Sequence, residues 1–92
     1  MNARFETRDH ELASTLVTLG YEVGELVWEG EDSNRPFAIF AFDGEEEKIG
    51  KEADDFFLGK EKNISPRDLF ANHKKLRTWI YEEKDRLERG KR

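Results

Sequence analysis

Phe37-Ala38-Ile39-Phe40-Ala41-Phe42 decides how this chain reads. Six consecutive apolar residues give a strand no polar side, so it belongs in the middle of a sheet covered on both faces. Upstream, the turn formers from Gly30 to Pro36 close a hairpin onto a strand running from Tyr21 to Glu29. In that strand Tyr21, Val23, Leu26, Val27 and Trp28 alternate, but the parity changes around Gly24, which predicts a bulge there.

Further upstream, Thr7 and Asp9 are both candidate N-caps for a helix reaching about Leu19. Leu12, Ala13, Leu16, Val17 and Leu19 recur at helical spacing, Gly20 stands where a helix stops, and Tyr21 can cover the end. Ala3 to Thr7 is expected to form a short strand with Phe5 inward.

Downstream, Asp43-Gly44-Glu45-Glu46 has the spacing of a capping box. The helix it would open places Ile49, Ala53, Phe56 and Phe57 on one face and ends at Gly59, with Glu45, Glu46 and Glu47 in its first turn, where the dipole favours negative charge. Lys60 to Ile64 is expected as a short edge strand. Ser65-Pro66-Arg67-Asp68 then supplies an N-cap, a first-position proline and an acid for a last helix running to about Glu88.

The expected class is therefore α+β, in the order β-α-β-β-α-β-α. This is a split βαβ, ferredoxin-like sheet with an added C-terminal helix; the alternative is a two- or three-stranded sheet with helices on both faces. Ninety-two residues make one domain, with 82–92 expected as an exposed, frayed helical tail. Such a chain buries only about 60–65% of its unfolded surface, so its seven Phe, two Trp and two Tyr must be concentrated in the core.

Charge is sorted along the chain. Residues 1–59 hold five Lys and Arg against fifteen Asp and Glu, a net −10; residues 60–92 hold eleven against six, a net +5. An acidic body with a basic last helix is a dipolar object suited to steering and recognition. Cysteine is absent, which removes disulfides, thiolate metal sites and cysteine nucleophiles. The charged start from Arg4 argues against a signal peptide, no apolar run reaches membrane-spanning length, and the expected location is the cytoplasm.

On the last helix, Leu69, His73, Leu76, Ile80 and Leu87 share the core-facing stripe, with Trp79 at its border. Beside it runs a basic row with two aromatics: Arg67, Phe70, Lys74, Arg77, Tyr81 and Lys84, extended by Lys60 and Lys62. The row reads as a partner- or nucleic-acid-binding face, the cations meeting phosphate and Tyr81 offering a stacking surface. A solvated helix face whose aromatics cap the core edge explains the same residues. Beyond it, Glu82–Arg86, Asp85–Arg89 and Glu88–Arg92 are spaced to pair at i, i+4.

Arg35 to Phe42 loosely resembles the octapeptide of RNA-recognition-motif domains, whose sheet aromatics stack bases. Pro36 stands in place of its glycine and Ile39 in place of an aromatic, and a buried Phe-rich strand accounts for the same residues.

Catalytic and metal constellations are weak. His10 and His73 lie far apart in sequence, Glu29, Glu31 and Asp32 lack calcium-loop spacing, and Ser14, Ser33 and Ser65 have no base nearby in a motif. No cofactor or metal is expected.

Phe5-x-Thr7-x-Asp9-x-x-Leu12-Ala13-x-x-Leu16-x-x-x-Gly20, the Phe-rich strand, Phe56-Phe57-x-Gly59 and Ser65-Pro66-x-x-Leu69 before Lys75-Leu76 and Ile80 together resemble a family of short bacterial and phage domains without assigned function. The resemblance spans about Phe5 to Tyr81. It implies a stand-alone accessory or regulatory domain and brings no catalytic residues.

The leading expectation is a non-enzymatic interaction module that docks on a protein or nucleoprotein partner through its basic last helix. One alternative is a direct DNA- or RNA-binding domain; another is a phage-derived acidic inhibitor or polyanion mimic built on the body from Glu29 to Asp55. Oligomeric state has no sequence signal.

Overall fold

The computed structural model describes residues 4–30, 36–60 and 63–90. Three strands, β1 (Phe5–Thr7), β2 (Glu22–Glu29) and β3 (Phe37–Asp43), and three helices, α1 (His10–Thr18), α2 (Glu46–Phe57) and α3 (Pro66–Gly90), follow in the order β1-α1-β2-β3-α2-α3. The sheet order is β1-β3-β2, all antiparallel, so the Phe-rich strand is central. That is the split βαβ order without its fourth strand. Among the described residues from Lys60 to Ile64 no strand forms, and residues 61–62 lie outside those described. The correction has a visible cause. Gly59 and Lys60 are drawn into closing α2, and Ser65 already opens α3.

The β2–β3 register shifts between Val23 and Glu25, the expected bulge at Gly24. A Cβ there would meet the Asp43 carboxylate, so glycine lets the two strand ends close together. The shift puts Val23, Leu26 and Trp28 opposite Phe42, Phe40 and Ala38, on one face. Phe5 and Thr7 of β1 join that face by pairing with Phe42 and Phe40.

All three helices cover this face. Phe40 and Phe42 sit in one core with Leu12, Ala13 and Leu16 of α1, Ile49 and Ala53 of α2 and Leu76 of α3. Each large side chain fully buried here contributes roughly 1.5–3 kcal/mol. Of the alternative reading, the three-stranded sheet forms but helices on both faces do not: among the described residues the second face carries none, although Ile39 and Ala41 are buried there. Phe40 and Phe42 turn into the helix layer, which removes them from any base-stacking platform. Phe57 also departs from its expected inward face and is 66% exposed, edge-on to Phe56.

Helix ends follow local chemistry. Asp9 caps α1 by accepting from the Leu12 amide at 2.9 Å, and its own amide donates to Thr7 Oγ1 at 3.1 Å. The α1 stop satisfies two orphan carbonyls, Gly20 N–H reaching Val17 O and Tyr21 N–H reaching Leu16 O, both at 3.0 Å. Gly20 has a φ of 107°, a left-handed conformation that costs glycine little. Asp43 does not cap α2. It ends β3, and Glu45 holds the cap position without a side-chain bond.

Helix α3 crosses α1 steeply. Adjacent α3 residues touch opposite ends of α1: Asn72 Nδ2 donates to Thr18 Oγ1 at 3.0 Å, while the His10 ring donates from Nε2 to the His73 carbonyl at 3.2 Å. The crossing carries the second half of α3 over the end of the sheet, toward Trp28. The helix continues to Gly90, past its expected end near Glu88.

Candidate functional site: a cation-lined groove beside the last helix

Between α3 and the sheet end lies a groove of about 470 Å³. Helix α3 contributes His73, Arg77, Ile80, Tyr81 and Lys84; the other wall is Arg8 and His10 after β1, Trp28 of β2, and Pro36, Phe37, Ala38 and Phe40 at the start of β3. Ala38, Phe40, Trp28 and Ile80 make its apolar part. Arg8, Arg77 and Lys84 make its charge, and no carboxylate lines it among the described residues. That segregation among the described residues is the site's defining property.

The two guanidiniums are held by rings. Arg8 lies over Phe37 at 3.8 Å from the centroid, and Arg77 over Tyr81, one helical turn on, at 5.9 Å. Neither Arg forms an ion pair among the described residues, and the same holds for Lys84. Arg4 is the contrast: it is bound by Glu25 and lies 3.9 Å from Asp43. A ring under a guanidinium fixes its plane while leaving its N–H edge free to donate.

Behind the cations sits a histidine stack. His10 and His73 lie ring on ring, 4.2 Å apart and 14° from parallel, with Phe40 tilted against His10 at 5.7 Å. The His73 carbonyl can only accept, so the His10 proton sits on Nε2. Burial first, then the neighbouring His73, holds the His10 pKa below its ordinary value. The Trp28 Nε1–H is buried and finds no acceptor among the described residues. An unmet buried donor is costly and wants a partner.

The expected row divides. Arg77, Tyr81 and Lys84 line the groove. Lys74 lies on the opposite flank with Lys75, Thr78, Trp79 and Glu82. Arg67 and Phe70 are exposed near the start of α3, Phe70 at 73% and beside Phe56 rather than in the groove. Lys60 is drawn away, 3.3 Å from Asp55 at the end of α2, and Lys62 lies outside the described residues. Further along, Arg86 pairs with Glu83 at 2.9 Å rather than with Glu82, while Arg89 meets Asp85 at 3.0 Å as its spacing implied.

Sequence reasoning missed Arg8, His10, Trp28, Phe37 and His73. The strand order held a signal: with β1 antiparallel to β3, the residue leaving β1 meets the residues entering β3. His73 was visible as the one polar member of the core stripe.

Among the described residues there is no group of three His, Asp or Glu arranged to hold a metal, and no helix is long and apolar enough to cross a membrane. Fold and site together define a small α+β domain with one helix layer and a cationic, aromatic groove under its last helix. No protein-family model, curated protein or solved structure matches this chain.

Proposed function

We propose that this protein is a non-enzymatic docking module that holds an anionic part of a protein or nucleoprotein partner in the groove beside α3. One observation carries the reading: Arg8, Arg77 and Lys84 surround a groove that no carboxylate lines among the described residues, and none of the three is neutralised by those residues. Unpaired cations converging on one concave surface favour an anion, because a single occupant can meet several of them at once. The acidic body then supplies orientation, repelling a partner's negative surface everywhere except at the groove. A stand-alone accessory or regulatory role, as the resemblance to short bacterial and phage domains implies, fits such a module, and the cytoplasm is its expected location.

Capture on immobilised protein, in low and physiological salt and after nuclease treatment, tests the reading. A partner retained by the wild type is released by Arg77→Glu with Lys84→Glu. Equal retention by that variant contradicts the proposal.

Direct DNA or RNA binding is the second reading, favoured by the exposure of Arg67, Lys74, Arg77 and Lys84 along one helix. It requires a mobility shift at low ionic strength that Lys74→Glu with Arg77→Glu abolishes.

A further inference from the structure

Resting on the docking reading, we infer that the occupant of the groove is a short acidic protein segment with an apolar anchor residue, carboxylates meeting Arg8 and Arg77 while the anchor covers Trp28 and Ile80. Four observations converge on this chemistry. The first is charge complementarity: the groove offers three cations and no acid among the described residues, so its occupant brings negative charge.

The second is how the cations are held. Base stacking needs a free ring face, and the Phe37 face in the groove is covered by Arg8 at 3.8 Å, which leaves the 59% exposed Tyr81 as the one ring of the pair open to a base. A single stacking face serves a run of bases poorly, whereas the Arg8 guanidinium laid on Phe37 presents an N–H edge matched to the two oxygens of a carboxylate.

The third is the apolar surface between the cations, where Trp28, Ala38, Phe40 and Ile80 meet. A volume of about 470 Å³ is of the size that takes a few side chains.

The fourth is the surroundings. Residues 1–59 carry a net −10, so a strand of nucleic acid leaving the groove runs into like charge, whereas a short acidic segment does not.

The test is fluorescence anisotropy of the full chain with a panel of short fluorescein-labelled peptides. Each carries one Leu, Phe or Trp anchor between flanking aspartates, and single-stranded oligouridine serves as competitor. The inference expects saturable binding by at least one peptide, about tenfold weaker when its aspartates become asparagines and about tenfold weaker again with Arg77→Glu plus Lys84→Glu. Trp28→Ala, which removes the ring the anchor covers, weakens binding several-fold with an unchanged circular dichroism spectrum. Oligouridine that binds and displaces the peptides through the same cations overturns the peptide occupant and leaves the docking reading standing. Peptides that bind the doubly reversed variant equally well overturn the groove as the site. Failure of every peptide below a Kd of about 1 mM overturns the inference; if capture also retains no partner, the docking reading falls with it.

Discussion

The two flanks of α3 come from the same helix and carry similar numbers of cations, yet they are different surfaces. One holds Lys74, Lys75, Thr78, Trp79 and Glu82, and beyond Lys75 and Trp79 it meets Tyr21, Glu22 and Val23, so carboxylates stand among its lysines. The other holds Arg77, Tyr81 and Lys84 against Arg8, Trp28 and Phe37 of the sheet, with no carboxylate among the described residues. A count of Lys and Arg does not tell these flanks apart. What separates them is where the acids fall.

The largest way to break this contrast is to loosen the helix itself. Leu76 is α3's member of the core cluster, so Leu76→Ala should cost about 2–5 kcal/mol in urea unfolding and take both flanks with it. A loss under about 1 kcal/mol would mean α3 is not held by this core. Next comes the contrast proper. Arg77→Glu with Lys84→Glu is expected to weaken binding of an acidic peptide about tenfold or more, roughly 1.4 kcal/mol, while Lys74→Glu with Lys75→Glu changes it less than about threefold. Equal losses from both pairs would show that net charge alone matters.

A smaller effect concerns the helix on which α3 rests. Asp9→Ala removes the cap at the groove end of α1 and is expected to cost about 1 kcal/mol in the same unfolding experiment. The smallest is pH-dependent. The folded protein holds His10 below its ordinary value, so the unfolded chain binds the proton more readily. Stability is therefore full above a pH of about 6.5, falls as pH drops through that value, and levels once His10 also titrates in the folded state. His10→Gln should flatten this part of the urea-midpoint profile, and an unchanged slope would assign the dependence to other groups.

Much of the fold was legible because its signals are local. Asp9, Gly20 and the Ser65-Pro66 start act within a turn of the chain, and the Gly24 parity change follows from a side-chain period of two. The Phe-rich stretch was placed correctly at the centre of the sheet because only a strand with neighbours on both sides hides so much apolar surface. Errors came where two local readings compete. Asp43 satisfies a capping spacing but is held in β3, and Phe57 fits the helix face while lying at its end, beyond the core. The segment after Gly59 had strand-forming residues but too little chain left between a helix stop and a helix start.

The site was half legible. Arg77, Tyr81 and Lys84 could be read from one helical row, since their spacing is a property of α3 alone. Lys74 falls in the same row because it sits near the crest of the helix, and only the sheet's position assigns it to the other side. Arg8, His10, Trp28 and Phe37 reach the groove through strand order and a steep helix crossing, and His10 meets His73 from 63 positions away. No local pattern encodes a contact of that separation.

The central claim is that an anionic partner seats on one flank of α3 and leaves the other untouched, and the two tryptophans report on it separately. Trp28 lines the groove, whereas Trp79 lies on the opposite flank. In a ¹H–¹⁵N spectrum titrated with the tightest acidic peptide, the account predicts that the Trp28 indole N–H resonance moves and saturates while that of Trp79 holds still. Movement of Trp79 with Trp28 fixed, or saturable binding that shifts neither, would contradict it.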